Sequence, residues 1–492
     1  MQVSACWGLL ALVVAALSAA SVTSSSVCDV DACSCAGAGH VHCDCRRSDT
    51  KEVNLAAKPD DKTGKAEKNS SATYIPEIIS VVRIEHCDMV RIGERAFAHA
   101  AALRQVNLTG IGQLQLAEQA FNWHHNIEIE EGQQAGLAVD ISNTYLPLIP
   151  SYALKGTILT IRLYNVSVDT VQPFAFASLV DTERIDVVDS KVKNFEGQAF
   201  KKFSLQRLTF SGCDLPALPS RSFVDLEVRG ELRFEQVHFD SIRTLAVKVR
   251  GTQQFTMMGC HVGRMEKESI SLRTEGRVTI RNNVFNTVMA DSLRGMTVEA
   301  LNLSHDGKQD FNFLNNSVSF FEQGAFTFNT SEFTPKLGDI TFLHPHCSCQ
   351  NSDTLSHAIL YTSADGLKRP PLDATSFIFC QESPARFVSV KQFNKSNCQE
   401  MFVKRYLLVI VFFLTVVVAC SGTFYYICRS RVKRYIDVPN NSADGKVSFK
   451  AGTKLPIMVV PDGRTYRETE LHVIDEQVEP IVEYIPPHGA KN

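Results

Sequence analysis

The stretch LQRLTFSGCDLPALPSRSF, residues 205–223, contains the most informative pattern of the sequence. Leu208 and Phe210 alternate with polar residues, as in a β-strand with one buried face. The same pattern recurs every 23 or 24 residues, and its second strand residue is Leu163, Val187, Phe210, Phe234, Met257, Ile280 and Leu303. A large apolar residue closes most of the units, at Phe176, Phe200, Phe223, Val247, Ile270 and Leu293. A period of this size predicts a solenoid, because each unit is too small to bury its own apolar face and must stack on its neighbours.

Looser copies extend the repeat toward the N-terminus through Ile84, Leu108 and Ile141. We therefore predict about ten repeats over residues 74–342, with insertions of about ten residues near 123–136 and 306–316. The expected fold is an α/β-type solenoid that is mostly β, with one parallel strand per repeat. A right-handed parallel β-helix is the alternative, because it has a similar period.

Cysteines form two clusters that flank the repeats. The front cluster is Cys28, Cys33, Cys35 and Cys43, and the rear cluster is Cys347, Cys349, Cys380 and Cys398. In an oxidising compartment such clusters favour disulfides over metal ligation. For Cys45 and Cys87 the sequence leaves two alternatives, a disulfide between them or two free thiols. Cys213 and Cys260 are two repeats apart, so their backbones are expected about 10 Å from each other, too far for a bridge.

These features together resemble an extracellular leucine-rich-repeat protein with cysteine-rich caps. The stretch 205–223 fits the family pattern L-x-x-L-x-L-x-x-N/C-x-L, and LHPHCSCQ at 343–350 is similar to the start of the C-terminal cap. The resemblance implies a horseshoe with caps at 28–47 and 343–400, and the cap pairs Cys28–Cys35, Cys33–Cys43, Cys347–Cys380 and Cys349–Cys398. Two features depart from the family: the polar stretch 48–73 is predicted to be a flexible loop, and the ladder asparagine is replaced in many units, for example by Val166, Ser190 or Val237.

Two apolar segments predict a single-pass membrane protein. Residues 1–20 have the apolar run and small residues of a secretory signal, and residues 406–428 are long and apolar enough to cross a bilayer. A basic cluster follows, which predicts a type I plasma-membrane protein with an extracellular N-terminus. Glycosylation acceptors support this orientation because all but Asn440 precede the membrane segment: Asn69, Asn107, Asn165, Asn302, Asn315, Asn329 and Asn394.

Residues that flank the buried strand positions should point to the concave face of the solenoid. The candidates for partner binding on that face are Arg162, Tyr164, Asp186, Arg233 and Glu235. Mixed charges with an aromatic residue are typical of protein-binding surfaces, although a solvated sheet face has the same composition. Asn107 and Asn302 are expected on the same face, where their glycans would restrict a partner to its middle.

We do not expect an enzyme, a cofactor or a metal site. The acids of the predicted face come from different repeats and alternate with arginine, whereas catalysis by a β-helix enzyme would need clustered carboxylates. Net charge is −3 and no basic stripe is evident along the sequence, so nucleic acid is not an expected partner.

The sequence thus favours a cell-surface adhesion molecule, receptor or co-receptor that binds an extracellular protein. Residues 429–492 are predicted to be a largely disordered cytoplasmic tail that recruits adaptors or trafficking proteins, with Tyr435, Tyr466 and Tyr484 as candidate motifs. The alternative is a structural role in organising membrane or matrix partners without signalling.

Overall fold

The computed structural model describes residues 25–37, 39–58, 72–123, 136–180, 182–299, 308–363 and 365–436. The predicted signal segment 1–20, Asn69, Asn302, Asn440, Tyr466 and Tyr484 lie outside the described residues.

A central sheet of 16 strands runs the length of the repeats. All of its pairings are parallel except the first, between β2 and β3. Its main path is β2 (Cys33–Ala36), β3 (His40–Asp44), β6 (Val81–Glu85), β8 (Gln105–Thr109), β10 (Leu137–Ser142), β12 (Gly156–Tyr164), β16 (Thr182–Val188), β18 (Phe200–Ser211), β20 (Phe223–Glu235), β22 (Val247–Met258), β24 (Ile270–Arg281), β27 (Gln309–Leu314) and β30 (Phe333–Gly338). Short strands β14 (Phe176–Ala177), β15 (Leu179–Val180) and β26 (Met296–Val298) pair at its side.

The register of this sheet confirms the period over most of the chain. Leu163 pairs with Val187, and the row continues in register through Phe210, Phe234, Met257 and Ile280. The next partner of Ile280 is Phe313, not Leu303, which lies outside the described residues. The prediction for this unit was therefore wrong, because the insertion precedes the strand and Phe313 repeats the apolar alternation as well as Leu303 does.

A second, 11-stranded sheet shows that each repeat contributes more than the one strand expected. It consists of β11 (Tyr145–Ile149), β13 (Ser167–Val171), β17 (Lys191–Phe195), β19 (Asp214–Leu215), β21 (His238–Ile242), β23 (His261–Met265), β25 (Val284–Val288), β28 (Ser317–Phe321), β31 (Ile340–Phe342), β34 (Ile378–Ser383) and β35 (Arg386–Ser389). Buried residues in these strands are three positions apart, as at Val192 and Phe195, so strict alternation is absent and the sequence gives no strand signal.

In the central repeats the strands also bend around a corner of the coil. β24 (Ile270–Arg281) pairs with β22 (Val247–Met258) both before and after a register shift near Thr252. Thr274 stabilises the bend, since its hydroxyl donates to the Thr252 carbonyl at 2.6 Å and accepts from the Gly276 amide at 3.1 Å. A side chain at Gly276 would collide with the Gln253 carbonyl of the adjacent turn. Each central repeat therefore contains β-structure in three places: before the bend, after the bend and in the second sheet.

Tight turns link each strand of the central sheet to the next strand of the same repeat through one residue in the left-handed conformation. These residues have φ between 48° and 65°, and they are His86, Gly110, Asn143, Asn165, Asp189, Gly212, Gln236, Gly259, Asn282, Asn315 and Asp339. Asn, Asp and Gly dominate the set because they adopt this conformation at the lowest cost.

At several of these turns the next residue has a polar side chain, and these side chains form an internal hydrogen-bond ladder. Ser190 Oγ donates to the Val188 carbonyl at 2.8 Å and accepts from the Val166 amide at 3.0 Å. Thr144, Cys213, Cys260, Asn283 and Asn316 make equivalent bonds. Replacement of asparagine therefore leaves the ladder functional at many positions, because hydroxyl and thiol groups reach the same backbone atoms.

One continuous apolar core fills the coil. Its most regular part is a phenylalanine stack in which Phe200 lies between Phe176 and Phe223, with ring centroids 4.3 and 4.7 Å away. Val247 and Ile270 continue the same row in register. The closing residue of each predicted unit is thus a core position.

The N-terminal part also contains a five-stranded sheet of β1 (Ser25–Ser26), β4 (Glu52–Leu55), β5 (Thr73–Tyr74), β7 (Met89–Ile92) and β9 (Gln113–Leu116). Strand β4 lies inside the stretch predicted as a loop, and Val53 and Leu55 are buried. The loop prediction is wrong there because the Lys- and Asp-rich composition of the whole stretch obscures two buried alternate residues; residues 59–71 lie outside the described part.

The C-terminal end contains β29 (Phe326–Asn329), β32 (Ile359–Thr362) and β33 (Lys368–Arg369), and helices α1 (Asn351–Ser356), α2 (Ala374–Phe377) and α3 (Val390–Phe393). A helix α4 (Gln399–Ile436) ends the described chain. Its segment Arg405–Arg431 is the one helix of the described residues long and apolar enough to span a membrane. The helix continues eight residues into the predicted tail, because its basic residues are good helix formers and the next proline is Pro439.

Within the described residues, five disulfides hold the two ends. The structure joins Cys28 to Cys35, Cys33 to Cys43, Cys347 to Cys380 and Cys349 to Cys398, the four pairs that the family resemblance implies. It also joins Cys45 to Cys87, so the disulfide is the correct one of the two alternatives for this pair. This bridge links the front cap to the first repeat.

Candidate binding surface

The outward side of the central sheet, here called the central face, is built from rows of side chains in register. The first row is Arg83, Asn107, Asp140, Arg162, Asp186, Thr209, Arg233, Thr256, Thr279, Asn312 and Lys336. The second row is Glu85, Thr109, Ser142, Tyr164, Val188, Ser211, Glu235, Met258, Arg281, Leu314 and Gly338. These rows alternate with the buried rows, as the two-residue period of a strand requires.

All five candidate binding residues lie on this face. Arg162, Asp186 and Arg233 share the first row, and Tyr164 and Glu235 share the second. Tyr164 is 37% exposed, and the Arg162 guanidinium lies 5.5 Å from the centre of its ring. The cation therefore holds an aromatic ring in place on an open surface.

A third row was not predicted and carries much of the charge. It contains Arg184, Arg207, Glu231, Gln254 and Arg277 in register. The sequence contains a signal for it, since each residue is two positions before one in the first row. It was missed because the expected strand was too short to include it.

Opposite charges pair within and between these rows across the middle of the central face. Arg184 contacts Asp186 at 3.1 Å. Glu231 lies between two arginines, with distances of 3.7 Å to Arg207 and 3.8 Å to Arg233, and Arg233 also contacts Glu235 at 3.3 Å. Exposed pairs of this kind add little stability. They instead fix the position of each charge that a partner would meet.

Of the five predicted glycosylation acceptors that the structure describes, one lies on the central face and two lie beside it. Asn107 is on it, in the first row near the N-terminal end. Asn165 and Asn315 are exposed at the left-handed turns that border it. Asn329 ends β29 and accepts from the Ser331 hydroxyl at 2.6 Å, and Asn394 donates to the Ser352 hydroxyl at 2.6 Å. Among the described residues only Asn107 would place a glycan directly on the face.

A separate polar cluster lies on the second sheet. Asp214 contacts Lys191 at 2.7 Å and His238 Nδ1 at 3.1 Å, and these hydrogen bonds lower the pKa of Asp214. The His261 ring is 5.0 Å from that of His238. In the described part of the chain, no group of three or more His, Cys, Asp or Glu residues has the arrangement of a metal site.

Cys213 and Cys260 are free thiols in the described structure, and both are buried. Burial raises the pKa of each thiol to about 11. They stay protonated at neutral pH and serve as ladder donors, which makes them poor nucleophiles.

No protein-family model matches the chain, and a search of curated proteins found no match. The structure itself defines a parallel β-solenoid with disulfides at both ends. The disulfides and the apolar helix near the C-terminus indicate a membrane-anchored extracellular protein.

Proposed function

We propose that the chain is a cell-surface recognition protein whose central face binds an extracellular protein. The observation that carries this proposal is the ordered middle of that face, where charges are paired and Arg162 supports an exposed Tyr164. Tyrosine and arginine are the residue types that most often dominate binding energy at protein interfaces. Folding does not require an aromatic ring at this open position.

The proposal includes a type I orientation in the plasma membrane, with the solenoid outside and residues 429–492 inside. The basic residues that follow the apolar helix support it. It also includes a relationship to extracellular leucine-rich-repeat proteins, which the period and the paired cap cysteines support. The additional strands in each repeat distinguish this chain from the single-strand repeat that the resemblance implied.

The paired carboxylates favour recognition over catalysis. Asp186, Glu231 and Glu235 each contact an arginine.

We propose that adaptors bind the tail, and deletion of residues 435–492 tests this part separately.

Changing Arg162→Ala together with Tyr164→Ala is expected to weaken capture of the extracellular partner about tenfold or more, because the change removes the aromatic anchor and its support. Proximity labelling on cells that display the full chain identifies the partner, and titration of that partner measures the affinity. The matched control is His238→Ala with Asp240→Ala, two exposed residues of the second sheet. Equal loss in both double variants would contradict recognition through the central face.

A further inference from the structure

A group of five exposed cations lies at the bend of two neighbouring strands, and we call it the basic corner. Its members are Lys248, Arg250, Arg273, Arg277 and Arg281, on β22 and β24. Lys248, Arg250 and Arg273 precede the bend, whereas Arg277 and Arg281 follow it on the central face. The five positive charges therefore extend around one corner of the coil.

Three of these cations line a shallow pocket of about 330 Å³. Lys248, Arg250 and Arg273 line it together with the polar Ser271. Asp225 is the acidic residue of the lining, so the pocket has an excess of positive charge. Such a pocket has the size and the donors for an anionic group such as a sulfate ester.

The strand register places like charges side by side in this pocket. Arg250 and Arg273 are directly paired residues of adjacent parallel strands, which lie about 4.8 Å apart. Like charges in this arrangement destabilise a sheet. The nearby Glu227 does not neutralise both, because it contacts Arg229 at 3.1 Å and Arg250 at 3.4 Å.

The remaining cations also differ from the paired arginines of the central face. Within the described part of the chain, Lys248, Arg273, Arg277 and Arg281 have no carboxylate within 4.0 Å. Arg281 contacts the Met258 sulfur at 3.1 Å, a neutral group. Glu275 adds one negative charge at the bend. Because the corner has five cations, its net charge is still positive.

We propose that the basic corner binds a sulfated polysaccharide, with one sulfate in the pocket and others on Arg277 and Arg281. A linear polymer with repeated anions can follow cations around a corner, whereas a folded acidic protein would need a matching concave surface. Arginine binds sulfate oxygens through two donors at once. The inference uses the proposed function only for the extracellular location, since the site is separate from Arg162 and Tyr164.

The test measures binding of the full chain, solubilised in detergent, to immobilised heparin over a range of salt concentrations. Removing three unpaired charges with R273Q/R277Q/R281Q is expected to weaken binding about tenfold or more and to reduce the salt dependence, since fewer counterions are released. The control R83Q/R184Q/R207Q removes the same charge from positions on the central face that contact acids. It should change the affinity by less than about threefold. Thermal unfolding of both variants confirms that the fold is retained.

Two further probes identify the ligand chemistry. Desulfated heparin should bind the wild-type chain much more weakly, and polyglutamate should not compete. Equal losses in the two triple variants would overturn the site, and strong competition by polyglutamate would indicate an acidic protein instead of a sulfated glycan. Capture of the protein partner through Arg162 and Tyr164 is measured independently, so failure here is distinguishable from failure of the proposed function.

Discussion

Replacing Phe200 by alanine is expected to lower the free energy of unfolding by about 3–5 kcal/mol. The ring is 1% exposed and lies between those of Phe176 and Phe223. Its loss leaves a cavity in the middle of the stack, and the neighbouring turns cannot collapse into it because their strands are held in register. Chemical denaturation followed by circular dichroism measures the shift.

The matched control for this change is Phe320→Ala. Phe320 is 56% exposed, on the outer side of the second sheet, so its removal is expected to cost less than about 1 kcal/mol. Similar losses for the two variants would mean that the stack at Phe200 does not form the core of the coil.

Changing both Cys45 and Cys87 to serine removes their disulfide and is expected to lower the free energy of unfolding by about 4 kcal/mol. The bridge closes a loop with a sequence separation of 42 residues and attaches the front cap to the first repeat. Without it, the cap can separate from the solenoid and expose the apolar end of the coil. Limited proteolysis should then cleave the double variant faster than the unmodified protein within the described residues 48–58 or 72–80.

Cys213→Ser is the control for that experiment. Serine already serves at the equivalent ladder position, Ser190, where its hydroxyl makes both backbone hydrogen bonds. We expect a loss below about 1 kcal/mol and no new cleavage site. Comparable sensitivity to protease in both variants would mean that the Cys45–Cys87 disulfide does not hold the front cap to the first repeat.

The main sheet was predictable because its buried residues alternate strictly. Leu208 and Phe210 are followed by equivalent pairs at fixed spacing, and the register follows that spacing. The second sheet was not predictable, because Val192 and Phe195 are three positions apart. The strand at Glu52–Leu55 was missed for a related reason: four residues with two buried positions are too few to show a period within a polar stretch.

The residues in the middle of the candidate surface were predictable from the sequence, but the full extent of that surface was not. Alternation placed Tyr164 and Asp186 outward without knowledge of the fold. The basic corner was missed because its cations belong to two successive repeats, Lys248 and Arg250 to one and the three arginines to the next. The register of β22 with β24 is what places Arg250 beside Arg273.

A glycan placed on the central face is the sharpest test of recognition through that face. Asp186→Asn with Val188→Thr creates a glycosylation acceptor in the middle of that face, and His238→Asn with Asp240→Thr creates one on the second sheet. Both proteins should reach the cell surface and gain one glycan. If the partner binds the central face, the glycan at position 186 abolishes partner capture while the glycan at position 238 leaves it unchanged. Retained capture with the glycan at position 186 would show that the partner binds elsewhere.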